Sequence, residues 1–200
     1  SEIPTHPRTG MDLNVLEDNL RKHKIQAVIT MANGHNPLGF IMPDDHKKAM
    51  VELTARYSVP LIEDDVYGDL AYRDTRPRSL KSFDRQELVI QCASFSKTIG
   101  PGLRVGWVHA GRFRDAVHRL KTLTNLSSPG LPQHAVAAYL ESGSYERHLR
   151  QLRRALQVQV QQTSQAITKY FPAGTRLSRP EAGYVLWVEL PKNIDAVELH

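Results

Sequence analysis

Ser94-Phe95-Ser96-Lys97-Thr98-Ile99-Gly100-Pro101-Gly102-Leu103-Arg104-Val105-Gly106 follows an apolar run at residues 88–93. It sets an amine, two serine hydroxyls and a guanidinium close together, with a Gly-Pro-Gly turn between them. That set suits an aldehyde cofactor carrying a phosphate. A lysine amine forms an imine with an aldehyde and can later move a proton on the substrate carbon. An arginine offers a phosphate dianion a two-pronged donor, and Ser94 and Ser96 add hydroxyls. A lysine is ordinarily a surface charge; Lys97 stands out because it directly follows a strand-like run and is flanked by hydroxyls. Gly100, Gly102 and Gly106 are spaced G-x-G-x-x-x-G, which departs from the dinucleotide pattern, and no phosphate-loop Lys-Ser/Thr pair follows. They are read as turn residues.

Outward from this segment the chain alternates short apolar runs with helical patterns. Leu13, Leu16 and Leu20 are spaced for a helix and precede an apolar run at 25–31. Pro43-Asp44-Asp45 opens a helix to about Tyr57, since proline and acids suit a first turn. Ala49, Met50, Leu53 and Tyr57 are its expected buried stripe. Pro60-Leu61-Ile62 begins a strand ending in Glu63-Asp64-Asp65, and further strands are expected at 88–93 and 105–110. This order predicts an α/β fold with a mostly parallel sheet. Ligands of such sheets gather outside the carboxyl ends of the strands. Asn36, Asp64 and Lys97 each follow a strand-like run. Later come helical patterns at 111–125 and 131–141, a long helix at 145–171, and strand-like runs at 175–178 and 184–190.

Two more clusters match the chemistry. In Glu63-Asp64-Asp65-Val66-Tyr67, a carboxylate beside a ring nitrogen would keep it protonated, and the tyrosine could hydrogen-bond a ring oxygen. The chemistry alone leaves Asp64 and Asp65 undecided, and either could be a cap or turn residue. Asn36 could donate to the same ring oxygen as Tyr67, although Asn-Pro by itself is only a turn signal.

Taken in order, Asn36-Pro37-Leu38-Gly39, Asp64-x-x-Tyr67 and Ser94-x-Ser96-Lys97 with Arg104 resemble the fold-type I pyridoxal-phosphate enzymes, the aminotransferase class I/II superfamily. The resemblance selects Asp64 over Asp65, because the family spaces its acid and tyrosine as Asp-x-x-Tyr. It implies pyridoxal 5'-phosphate as cofactor, Lys97 as the catalytic lysine, and Asn36, Asp64, Tyr67, Ser94, Ser96 and Arg104 as further cofactor-binding residues. Phe95-Ser96-Lys97-Thr98, Pro101-Gly102-Leu103-Arg104 and Arg179-Pro180-Glu181-Ala182-Gly183-Tyr184-Val185-Leu186-Trp187 bring the sequence closest to the aminotransferase-like domain of MocR-type regulators, a branch of the GntR family. That likeness implies an amino compound or amino acid as sensed ligand, a homodimer, and DNA contact only through a winged-helix domain outside this chain. The expected divisions are the central part of the large domain at 1–144, a long interdomain helix at 145–171, and the start of a small α+β domain at 172–200. The family's Gly-rich phosphate segment and ring-stacking aromatic have no counterpart before Asn33, and its distal arginine for the substrate carboxylate would lie beyond His200. The sequence is therefore expected to be a middle piece of a longer protein, one that would bind cofactor weakly or not at all by itself. A free-standing aminotransferase is the rival reading, and a purely structural domain the third.

Composition narrows the classes further. Apolar residues make up 40% and charged residues 24%, ordinary for a globular chain. No run approaches the ~20 apolar residues of a membrane span, and no signal-peptide pattern opens the sequence. The single cysteine, Cys92, reads as a small apolar strand residue and points to a cytoplasmic setting. Nine scattered histidines show no metal-ligand spacing. The net charge of +5 includes a cluster of Arg147, His148, Arg150, Arg153 and Arg154. It could touch nucleic acid, but without interleaved aromatics it reads as a solvated helix face.

Overall fold

A computed structural model describes residues 2–196. A short hairpin, β1 (Thr5–His6) and β2 (Gly10–Met11), leads into α1 (Leu13–Lys22). Asp12 caps α1 by accepting from the Asn14 and Val15 N–H groups at 2.9 and 3.2 Å. That satisfies two donors the first helical turn leaves free. β3 (Val28–Thr30), α2 (Asp44–Arg56), β4 (Leu61–Asp64), β5 (Val89–Ser94) and β6 (Gly106–His109) follow. The four strands form one sheet in the order β3-β4-β5-β6; β3, β4 and β5 are parallel, and β6 runs antiparallel to β5. The expected α/β architecture is therefore present.

Side chains on a strand alternate between its two faces. Val28, Leu61 and Val89 are buried beneath α1 and α2, with Leu16, Leu20, Met50, Val51 and Leu53. Leu61 and Met50 have no exposed surface; burying each contributes about 1.5–3 kcal/mol. The opposite face carries Ile29, Ile62 and Ile90 and is more open, with Ile29 67% exposed. The stripe on α2 is Lys47, Met50, Val51, Leu53 and Thr54, a correction to the expected one. Ala49 is exposed, and the lysine occupies the buried position instead. Pro43 sits just before the first turn rather than in it, while Asp44 and Asp45 fill that turn as expected.

Beyond β6 a 3₁₀ turn at Gly111–Phe113 precedes α3 (Arg114–Asn125), and α4 (Gly130–Glu141) follows. α5 (Ser144–Tyr170) spans 27 residues, about 40 Å at 1.5 Å per residue. Tyr145 and Leu149 near its start are buried with Tyr67 and Leu70. β7 (Arg176–Leu177) pairs antiparallel with β8 (Val188–Glu189). The strand expected over 184–190 reduces to the paired Val188 and Glu189; just before it Ala182 bridges to Ala71, and Tyr184 lies edge to face on Tyr67.

Candidate functional site

The carboxyl ends of β3, β4 and β5 lie side by side, and the predicted site residues come from the loops that leave them. Ser94 ends β5 and pairs with Gly106 of β6, which brings Arg104 back beside the serines. Ser94 Oγ lies 2.9 Å from Ser96 Oγ and accepts from the Ser96 N–H at 3.1 Å. Arg104 Nη1 donates to Ser96 Oγ at 3.4 Å. Arg104 holds a left-handed backbone, φ 52°, a conformation that costs an L-residue about 1–2 kcal/mol. Two hydroxyls and a guanidinium therefore converge at a strained turn, a donor set matched to a phosphate dianion.

The turn carrying Lys97 is anchored by its neighbours. The Thr98, Ile99 and Gly100 N–H groups all reach the Phe95 carbonyl. The buried Thr98 accepts from Tyr145 Oη at 3.1 Å, and its carbonyl accepts from His148 Nε2 at 2.7 Å. Lys97 itself is exposed, with Nζ 6.0 Å from the centre of the Tyr184 ring. The arginine-rich stretch of α5 divides accordingly. His148 and Arg153 face inward, Arg153 donating to the Asp69 carbonyl at 2.7 Å. Arg147, Arg150 and Arg154 remain exposed.

The two acids at the end of β4 separate by strand alternation. Asp65 points to the helix side with no exposed side-chain surface. It takes Arg76 Nη2 at 2.6 Å, Gln91 Nε2 at 2.7 Å and Asn33 Nδ2 at 3.1 Å. Lys47 Nζ continues this network to Asn33 Oδ1 at 2.8 Å and to the Arg78 carbonyl at 2.7 Å. Next to it Glu63 accepts from the Leu80 and Lys81 N–H groups at 2.7 and 3.1 Å. Burial, reinforced by the Asp65 charge, pushes Glu63 up to about 7. Asp64 points to the other face, half-buried, opposite Cys92 of β5. Among the described residues its carboxyl accepts a single, long 3.4 Å bond, from the Val66 N–H. Burial holds its pKa above the ordinary value, while the nearby Lys97 charge pulls it partly back. The half-buried Cys92 thiol is likewise raised, by burial first and then by the Asp64 and Glu63 charges.

Tyr67 is buried, and its ring meets that of Tyr184 edge to face at 5.6 Å. Burial, together with the Tyr184 hydroxyl, pushes it up to about 12, so it keeps its proton as a donor at neutral pH. The loop at 33–41 packs directly on Tyr67: a Cβ at Gly34 would stand 2.6 Å from the Tyr67 Cβ. Asn36 is exposed on this loop. Gly39 of the Asn-Pro-x-Gly run has φ 74°, and a Cβ there would meet Pro180 at 2.4 Å. The glycine is therefore what lets Pro180 lie against the loop.

The sequence reading did not single out three features: Tyr184, the buried Asp65–Arg76 network, and the Thr98–Tyr145–His148 anchor. Burial alternates along β4 and continues into Asp65, which places Asp64, the acid that the Asp-x-x-Tyr spacing selects, on the half-buried face and Asp65 on the buried one.

The chain is 42% identical over 196 residues to the HTH-type transcriptional regulator YjiR of Escherichia coli, covering 98% of this chain and 42% of that protein. It is 40% identical over 197 residues to a second E. coli HTH-type transcriptional regulator, YdcR, with the same coverage. The chain thus spans less than half the length of these relatives. The fold superposes on the crystal structure of Pyrococcus horikoshii kynurenine aminotransferase in complex with PMP, with a TM-score of 0.91 and 29% identity, over 100% of this chain and 50% of that one. Residues 1–199 match the model for aminotransferase class I and II, and the chain belongs to that family.

Proposed function

We propose that this chain is part of the pyridoxal-phosphate-binding domain of an HTH-type transcriptional regulator that senses an amino compound. The observation that carries the reading is the convergence of Ser94, Ser96 and Arg104 at the turn whose next residue is Lys97, an exposed amine whose charge acts on Asp64. The relatives at 42% and 40% identity, both regulators, support the sensing role.

When bound, the cofactor supplies an aldehyde for an amine and an electron-withdrawing ring. The two serines and Arg104 would hold its phosphate by charge-assisted hydrogen bonds. Lys97 Nζ would be the amine that holds the aldehyde carbon and that a ligand's amine would replace. Asp64 would hold a proton at the ring nitrogen, and Tyr67 Oη would donate to the ring oxygen, with Asn36 as a second donor from the neighbouring loop. DNA contact, a second subunit and a large-domain/small-domain division along α5 belong to the whole protein in this reading. A cytoplasmic setting fits it, and among the described residues no helix is long and apolar enough to cross a membrane.

The second reading, a free-standing aminotransferase, is favoured by the close superposition on the P. horikoshii enzyme. The same residues would then serve turnover. Two measurements on the intact protein decide. Cofactor absorbance should show a lysine-dependent band that Lys97→Ala lacks; an unchanged band sinks both readings. Steady amino transfer to a 2-oxo acid at enzyme-like rates would favour the enzyme over the sensor.

A further inference from the structure

The segment at 180–184 is remote in sequence from every loop it touches, yet it is stitched to both walls of the Lys97 site. The Glu181 N–H donates to the Gly39 carbonyl at 2.8 Å, and the Tyr72 N–H donates to the Glu181 carbonyl at 2.8 Å. Glu181 Oε1 accepts from the Ile41 N–H at 3.3 Å, and Oε2 pairs with Arg73 at 2.5 Å. The Gly183 N–H reaches the Leu70 carbonyl at 3.1 Å, and Tyr72 Oη donates to the Gly183 carbonyl. Ala182 is 1% exposed. Backbone pinned on both sides leaves the next residue little freedom of placement.

That next residue is Tyr184. Its ring stands edge to face on Tyr67, 6.0 Å from Lys97 Nζ, and 43% of its surface is open to solvent. Open aromatic surface lies directly beside the amine, and it is not filled by the described chain. Any amine that takes the place of Lys97 carries its own substituent within a few bonds of this ring. An aromatic face has a negative quadrupole, so it attracts cations and packs well against other rings, and it disfavours a carboxylate laid over it.

Resting on the proposed amine-sensing role, we infer that Tyr184 is the specificity-determining residue of the site, selecting amino compounds with an aromatic or large apolar substituent. The small-domain segment that presents it thereby reads the ligand, while the cofactor residues hold the common core. The edge-to-face Tyr67–Tyr184 pair sets the preference: ring or hydrocarbon packs on the open Tyr184 face, whereas a side-chain carboxylate laid on that face meets its negative quadrupole.

The test is an absorbance titration of the intact, cofactor-loaded protein with L-phenylalanine, L-alanine and L-aspartate. Tyr184→Ala should weaken L-phenylalanine about 5–10-fold relative to L-alanine. Tyr184→Phe, which keeps the ring, should stay within about 2-fold of the unaltered protein for both. L-aspartate should bind more weakly than L-phenylalanine before any substitution. Retention of the cofactor band in both variants shows that the fold and cofactor site survive. An equal loss for all three probes, no loss, or no binding of any of them to a loaded protein overturns the inference. Lys97→Ala separates this failure from that of the function itself. If Lys97→Ala leaves the band unchanged, the reading of the whole site is wrong. If it abolishes the band while Tyr184→Ala fails to discriminate, only the role of Tyr184 is.

Discussion

Replacing the two neighbouring aspartates in turn, Asp64→Asn and Asp65→Asn, should have opposite consequences. Asp65 has no exposed side-chain surface and is the acceptor for Arg76 at 2.6 Å, Gln91 at 2.7 Å and Asn33 at 3.1 Å. An amide there removes the charge and turns an NH₂ against at least one of three donors. Breaking a buried ion pair from one side costs about 3–5 kcal/mol. Arg76 is one-third exposed and keeps Asp69 at 2.6 Å, so the expected loss for Asp65→Asn is smaller, about 2–4 kcal/mol. Asp64 accepts one 3.4 Å bond, and burial already disfavours its charge. Asp64→Asn should therefore change stability by no more than about 0.5 kcal/mol. It should instead change the absorbance of bound cofactor, because an amide cannot hold a proton at the ring nitrogen as a carboxylate does. Urea unfolding of the intact protein gives the stabilities, and absorbance of the loaded protein gives the second reading. If Asp64→Asn proves as destabilising as Asp65→Asn, or if only Asp65→Asn alters the cofactor spectrum, the assignment by strand alternation is wrong.

Two further outcomes concern the frame around the site. Gly39→Ala places a methyl against Pro180 Cβ at 2.4 Å and Cα at 2.7 Å, at φ 74°; it should cost about 2 kcal/mol or more in urea unfolding, and a silent substitution would show that Pro180 does not rest on this loop. Glu63, raised from 4.5 to about 7 by burial, gives the native state an extra bound proton between those values. Stability should therefore fall as pH rises through that window, by about 3 kcal/mol from this group, and Glu63→Gln should flatten the slope; parallel pH profiles for the two proteins would refute the shift.

Local pattern alone determined much of this molecule. The spacing of Leu13, Leu16 and Leu20 marks α1, the acids after Pro43 mark the start of α2, and the unbroken stretch before Pro172 marks α5, because helices and strands are set by short-range periodicity and breakers. The order of the three motifs likewise fixed the family, since each motif is contiguous. What remained hidden depends on contacts between residues far apart in the chain. The family spacing selects Asp64, but that Asp65 is filled by Arg76, Gln91 and Asn33 follows only from the packing of distant segments. Lys47 lies on the buried face of α2, away from the exposed Ala49, because Asn33 and the Arg78 carbonyl accept from its amine there. His148 and Arg153 leave a uniformly solvated face because Thr98 and Asp69 sit opposite. Tyr184 reaches Lys97 only because Glu181 and Gly183 are tied to backbone more than a hundred residues earlier. A sequence specifies the periodicity that forms each element, but partners brought together by sheet pairing and loop packing are a property of the closed chain.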